Sequence, residues 1–292
     1  MEMILVTGAT GQLGQRIVRR LFAGLSDAGA GRLAASVRDV SRACELAARG
    51  IEVRQADFDD RESLVTAFVG VERLVLISTD GPKDVRIAQH RNAIEAAQAA
   101  GVGHIYYTSF LDADAGSPSE FAQVHAATEA LLADSGLDFT LLRNGLYADF
   151  LPMNFAAALE TGVLRLPAGE GRVSYVSRND LAEAIAAAVL APRLEKKVYE
   201  LTGQSTHDYW EIAAKVGRAA GTTLRYEPVS EDGYVASLES AGLRAKLARA
   251  LGNMYSAVAE NRFARTTNDF AALVGHPPRS IDCLVAEYFR AA

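Results

Sequence analysis

Short apolar runs alternate with longer segments of helical periodicity through the first two hundred residues. Met3 to Val6 is one such run, and from Gln12 to Leu25 it is followed by Leu13, Ile17, Val18, Leu21 and Leu25 at helical spacing. The opening therefore predicts a strand, a glycine turn and a helix. Further runs at Leu33 to Val37, Ile51 to Ala56, Leu74 to Ile77, His104 to Thr108, Phe139 to Leu142 and Val198 to Leu201 read as strands. Between them helices are expected over about 40–49, 60–69, 85–100, 120–135 and 178–191. Strands that are apolar without alternation are buried on both faces, which predicts an α/β fold: a doubly wound parallel sheet covered by helices on both sides.

After Asn144 the rhythm changes. A helix-like segment at 150–161 leads into the loop Pro167-Ala168-Gly169-Glu170-Gly171, and a helix opens near Asp180. Beyond Leu201 helices are expected at 208–220, 231–241, 243–259 and 280–290, separated by Gly221, Gly242 and the Gly275-His276-Pro277-Pro278 break. This predicts a dinucleotide-binding unit over 1–147, completed by a strand and helix at about 175–201. A smaller, helix-rich C-terminal cap is expected from 148–174 and 202–292. The 52 alanines suit helices with small packing faces.

Composition narrows the partners. With 30 Lys and Arg against 36 Asp and Glu, the net charge of −6 argues against a nucleic-acid binder, which needs clustered cations to neutralise phosphates. No run of 18 apolar residues predicts a membrane span, and no basic and apolar leader precedes Met3, so the cytoplasm is the expected address. Cys44 and Cys283 lie far apart and show no metal-ligand spacing with the histidines, so neither a disulfide framework nor a metal is expected. The oligomeric state is not legible, which leaves a homodimer open.

The chemistry starts at Thr7-Gly8-Ala9-Thr10-Gly11-Gln12-Leu13-Gly14. Glycines at 8, 11 and 14 permit a tight turn and close backbone approach to a pyrophosphate, while the following helix offers unpaired N–H donors from Gln12, Leu13 and Gly14. With the surrounding strand–turn–helix pattern this predicts a dinucleotide site that also includes Thr10. In NAD sites an acid some 20 residues later holds the ribose hydroxyls. Here Arg38 stands at that place, set to pair with a 2′-phosphate, or else a surface residue opening the next helix. NADPH is accordingly expected over NADH, although neighbouring Asp39 is still able to face the ribose. Asp57 and Phe58 follow the third strand, where an acid and a ring suit the adenine, and Ile77, Ser78 and Thr79 end the fourth, along the ribose path. Each reads equally as an ordinary strand-end loop.

These segments, with QADFDD at 55–60, QHRNAIEAAQAAGV at 89–102, HIYYTS at 104–109, HAATEALLADSGLDFTLLRNGLY at 125–147, VYELTG at 198–203 and LVGHP at 273–277, resemble the NmrA-like branch of the atypical short-chain dehydrogenase/reductases. Within it the chain is most similar to type 2 NAD(P)H:quinone oxidoreductases and triphenylmethane dye reductases, almost end to end. The resemblance implies a Rossmann domain with a smaller C-terminal cap and reduction of quinones by a nicotinamide cofactor.

Members of the wider superfamily carry Tyr-x-x-x-Lys with a serine on the preceding strand, the tyrosine giving a proton to the reduced carbonyl. A glutamate four residues after the lysine is matched by Glu129. By that register Phe121 replaces the tyrosine and His125 the lysine, while Ser109 matches the strand-end serine. Reducing a simple ketone demands a proton in the transition state; a quinone gives a delocalised oxyanion and a triarylmethyl cation a neutral product, so neither does. Direct hydride transfer to a flat conjugated acceptor, without flavin or metal, is the expected activity. His125 is a candidate to bond the nicotinamide ribose or assist protonation, or is a helix histidine satisfied locally. Asn144 and Tyr147 match a segment that in relatives runs beside the nicotinamide: Asn144 suits the carboxamide or a substrate oxygen, Tyr147 a stacking ring or hydrogen-bond donor, or both are structural. A redox-sensing regulator of the NmrA type that binds NADP(H) without turnover is the alternative.

Overall fold

The computed structural model describes residues 2–25, 32–194 and 197–290. Residues 1, 26–31, 195–196 and 291–292, which fall inside the spans assigned above, lie outside the described residues. The chain opens with β1 (Met3–Val6), α1 (Gln12–Gly24), β2 (Leu33–Val37), α2 (Cys44–Ala48), β3 (Glu52–Gln55), α3 (Arg61–Phe68), β4 (Val71–Ile77), α4 (Lys83–Ala100), β5 (His104–Phe110), α5 (Glu120–Asp134) and β6 (Asp138–Asn144). It continues with α6 (Leu151–Thr161), β7 (Val163–Leu166), α7 (Arg178–Leu190), β8 (Val198–Leu201), α8 (Tyr209–Ala219) and β9 (Arg225–Pro228), and closes with α9 (Glu231–Ser240), α10 (Ala245–Ala259), α11 (Asp269–Val274) and α12 (Ile281–Phe289).

Seven strands form one sheet in the order β3-β2-β1-β4-β5-β6-β8. The expected Rossmann topology is present. After β3 the chain crosses back to the far side of β1, so β1 and β4 pair in parallel and their carboxyl ends flank the switch point where such sheets bind ligands. β2 is buried along its whole length, as a strand covered on both faces must be. α1 turns Leu13, Ile17, Val18 and Leu21 inward. Its outer face meets α7, where Arg16 Nε donates to Asn179 Oδ1 at 2.8 Å and Arg20 pairs with Glu183 at 3.4 Å. The core under the switch point gathers Leu5, Leu64, Phe68, Leu74, Leu76, Ile94, Ile105 and Tyr107.

The chain forms two compact units, one of Met1–Phe110, Val124–Arg143 and Arg178–Tyr199, the other of Leu111–Gln123, Asn144–Ser177 and Glu200–Ala292. Segment 111–123 thus goes with the second unit rather than with the span 1–147 in which the sequence pattern placed it. The reason is local: Leu111 N–H donates to Asn144 O at 2.9 Å, and Arg262 pairs with Asp114 at 2.8 Å and Asp112 at 3.6 Å.

The second unit is helix-rich, as expected, but it also holds a parallel two-stranded sheet, β7 against β9, and the short helix α11, neither of which the apolar pattern announced. Four-residue strands and a six-residue helix are too short to display a period. Its interior is built on tyrosines. Tyr175 and Tyr209 share a hydroxyl hydrogen bond of 2.7 Å, and the Tyr209 ring lies 5.6 Å from Tyr226 and 5.9 Å from Tyr255. Trp210 packs edge-on against Tyr226 at 4.8 Å, which fits a packing role.

Phe68 is fully buried between α3 and the sheet. Replacing it with alanine is expected to lower the unfolding free energy by about 3–5 kcal/mol in urea titrations, the cost of the lost burial plus the cavity.

Candidate dinucleotide and acceptor site

The glycine turn at the end of β1 is held from both sides. Thr7 N–H donates to Val75 O at 3.0 Å, and the Thr7 hydroxyl donates to the same oxygen and accepts from Ile77 N–H at 2.9 Å. Gly8 adopts φ +58°, a left-handed conformation that favours glycine. A Cβ on Gly14 would collide with the Gly8 carbonyl oxygen, so α1 packs against the turn only because Gly14 has none. Gly11 is the N-cap and supplies no side chain, so the first N–H groups of α1, from Gln12, Leu13 and Gly14, remain for an anion. Gly8, Gly11 and Gln12 are exposed, Thr10 is half-buried, and the Leu13 side chain is buried beneath its own N–H. This cradle fits a pyrophosphate.

At the end of β2 the two candidates for the ribose separate. Asp39 accepts from Ser41 N–H at 3.0 Å and from the Ser41 hydroxyl at 2.6 Å, capping the turn Val40–Ala43, and these bonds hold its carboxyl below the usual range. Arg38 is exposed, and its backbone carbonyl accepts from Gln55 Nε2 at 3.3 Å. The acid is committed to the backbone while the guanidinium faces solvent.

Asp57 and Phe58 also have structural work. Asp57 Oδ1 accepts from Asp59 N–H at 3.0 Å and closes a turn before α3, while Phe58 packs against the core and its carbonyl accepts from Asn92 at 2.9 Å. Ile77, Ser78 and Thr79 are half-buried at the end of β4 beside the glycine turn, with Ile77 Cβ 3.8 Å from where a Gly8 Cβ would sit.

Behind β4 lies a polar cluster in the first unit that joins Ser78 and His125, both expected as site residues, to Arg86 and His90, which no motif singled out. Arg86 and His90, one turn apart on α4, are buried on the face that carries Ala93, Ile94 and Ala97. Arg86 donates to Ser78 Oγ at 2.8 Å and stands 3.4 Å from His125 Nε2; His125 Nδ1 lies 2.8 Å from the Tyr107 hydroxyl. A guanidinium only donates, so Nε2 accepts and Nδ1 carries the proton. Burial and the Arg86 charge push the His125 pKa well below its usual value, and they press His90 down to about 3. Burial raises Tyr107. The signal available in the sequence was Arg86 and His90 at positions i and i+4 of the apolar stripe of α4, where a polar side chain must be matched inside.

Ser109 donates to Glu129 Oε1 at 2.5 Å, and Arg143 grips the same carboxylate through Nε at 2.9 Å and NH2 at 2.6 Å. The strand-end serine is thus hydrogen-bonded to the matched glutamate, which is ion-paired with Arg143.

Asn144 and Tyr147 belong to the second unit. Asn144 is 1% exposed, its Nδ2 donates to the Tyr147 hydroxyl at 3.3 Å, and its Oδ1 is buried with no hydrogen-bond partner. An unmatched buried acceptor costs about 1–3 kcal/mol, which an incoming N–H or O–H would relieve. The Tyr147 ring lies parallel to Phe150 at 6.1 Å, within 8°. Among the described residues no cluster suits a metal ion, Cys44 and Cys283 are free thiols, and no helix is long and apolar enough to cross a membrane.

The model of the NmrA-like family matches residues 1–272. The chain belongs to the NmrA-like family. It is 40% identical over 287 residues to quinone oxidoreductase 2 of Escherichia coli, covering 98% of this chain and 99% of that one. A structure of NADPH-dependent quinone oxidoreductase from the same organism, complexed with NADPH, superposes with a TM-score of 0.93 over 99% of this chain and all of that one, at 40% identity. A triphenylmethane reductase from Citrobacter sp. gives 0.90 at 34% identity, covering 98% and 99%. These matches extend the resemblance seen in the sequence segments to the whole backbone.

Both buried histidines are neutral in the fold, whereas in the unfolded chain they titrate near 6.5. The unfolded state therefore takes up protons first, and stability is complete above that value and lost as pH falls below it. Two such groups weaken folding by about 2–3 kcal/mol between pH 7.5 and 5.5. Urea denaturation at the two pH values checks this; equal midpoints would show that neither imidazole is held neutral.

Proposed function

We propose that the chain is an NADPH-dependent reductase that passes hydride directly to quinones or similar flat conjugated acceptors, triarylmethane dyes among them, without flavin or metal. The observation that carries the acceptor class is His125. At the position of the superfamily lysine stands a buried, uncharged imidazole with both nitrogens engaged, and Phe121 stands where the tyrosine would be. Neither residue is equipped to give a proton as hydride arrives, so the acceptor is one that needs none at that moment. The names of the relatives, a quinone oxidoreductase and a triphenylmethane reductase, agree with such acceptors.

In this reading the first N–H groups of α1 hold the pyrophosphate and Arg38 pairs with the 2′-phosphate. Thr10, Asp57, Phe58, Ile77, Ser78, Thr79 and Ser109 line the path of the nucleotide. Asn144 accepts from the carboxamide through Oδ1 and Tyr147 offers its ring to a flat acceptor. The bound cofactor supplies the hydride; the protein holds the electrophile and excludes water. We place the enzyme in the cytoplasm, acting on small molecules.

Arg38→Ala is expected to raise the KM for NADPH by roughly 10–100-fold, the loss of one charge-assisted hydrogen bond, and to leave that for NADH nearly unchanged. Equal effects on both nucleotides would sink the 2′-phosphate assignment. The activity itself is tested by following nicotinamide absorbance with benzoquinones, naphthoquinones and triarylmethane dyes. Binding of NADPH without oxidation across that panel would favour the NADP(H)-sensing regulator instead.

A further inference from the structure

We propose that Thr128 anchors the Nδ1–H of His90 and that His90, so held, is a positioning residue for the Ser78–Thr79 edge of the cofactor site. The inference rests on the reading that this edge lines the nucleotide path, and it assigns the side chains that hold it in place.

His90 lies wholly inside the first unit, with no exposed surface and the Tyr107 ring edge-on at 5.7 Å. Water does not reach it, so each ring nitrogen depends on a protein partner. Thr79 N–H points at Nε2 from 3.1 Å, and the Thr79 hydroxyl lies 3.4 Å from the same atom. A backbone N–H can only donate, so Nε2 must be bare. Nδ1 lies 2.8 Å from Thr128 Oγ1, and that hydroxyl donates to the Val124 carbonyl at 2.9 Å. With its proton spent on Val124, Thr128 meets Nδ1 as an acceptor, so Nδ1 carries the hydrogen. The direction of the chain, Thr79 N–H to His90 to Thr128 to Val124 O, is thus set at both ends, by a backbone amide and by a helix carbonyl. One orientation satisfies every group.

Arg86 gives the arrangement its second point. One turn earlier on α4 it donates to Ser78 Oγ at 2.8 Å, while Ser78 N–H donates to Thr108 Oγ1 at 3.1 Å. Two successive residues at the end of β4 are thereby fixed from one helix face. Without Thr128 the Nδ1–H loses its acceptor in a buried setting, and the ring is no longer held in place beneath Thr79. The edge then moves away from α4, and the nucleotide meets a surface that is no longer preformed.

The test compares the full-length wild type with Thr128→Val, which preserves shape and removes the hydroxyl, and Thr128→Ser, which restores it. Imidazole 15N and 1H spectra of the ligand-free wild type are expected to show His90 as Nδ1–H with that proton hydrogen-bonded, and those of T128V to show the Nδ1 proton shifted upfield by the loss of its acceptor. Amide exchange at Thr79 should quicken in T128V relative to the neighbouring β4 amides. The Kd for NADPH, read from nicotinamide fluorescence, should rise about tenfold in T128V and return towards wild type in T128S. An Nε2–H signature in the wild type, or T128V binding NADPH as tightly as wild type, overturns the proposal. A purely structural role would lower the melting temperature without singling out Thr79. Should T128V fail to fold, the wild-type spectrum and T128S still decide. Wild type that does not bind NADPH at all would instead overturn the cofactor reading, so the two failures are distinguishable.

Discussion

At the carboxyl end of β1 the hydroxyl of Thr7 takes over where the strand ladder stops. The chain must leave β1 for the glycine turn while β4 runs on beside it, so the last pairing groups of β4 would face a gap. Thr7 fills it by giving its proton to Val75 O and accepting from Ile77 N–H. That small bridge keeps the end of β4 in register with the turn. Gly8, the N-terminus of α1 and the Ile77–Thr79 segment can then occupy one edge of the sheet, which the proposed phosphate cradle and nucleotide path both require.

The same edge shows how charge is managed in a dry interior. The histidines on α4 and α5 are kept neutral, and Arg86, which remains charged at any physiological pH, organises the hydroxyl and imidazole around it. A lysine in place of His125 would set a second cation beside Arg86, the arrangement the imidazole avoids by staying uncharged. In the proposed function, a Phe121 and a neutral His125 that give no proton belong together with the charge of Arg86, and both suit acceptors that take hydride without simultaneous protonation.

The sheet was legible because its strands are continuous apolar runs and its first turn needs glycines at fixed intervals, both of which survive in a single sequence. The place of Arg38 just after β2 was legible for the same reason, being a matter of counting. What Asp39 does was not, since only the fold shows its carboxylate committed to Ser41. The network around His90 was hidden because its members come from β4, α4, β5 and α5, and no spacing along the chain reveals that Thr79, Tyr107 and Thr128 surround one imidazole. β7 and β9 escaped because a four-residue strand has room for barely one alternation.

Neither unit is a continuous stretch of chain. Arg16 and Arg20 on α1 meet Asn179 and Glu183 across 163 residues, and β7 waits for a strand whose Tyr226 reaches Leu166 across 60. During synthesis the first helix therefore leaves the ribosome long before α7 exists to cover it, and the segment after Asn144 emerges before its own partners. Folding of such a chain is late and dominated by distant contacts. A nascent fragment ending before Arg178 is one whose nucleotide-binding half is already translated but still lacks a wall, and that interval is when the protein most needs protection from aggregation.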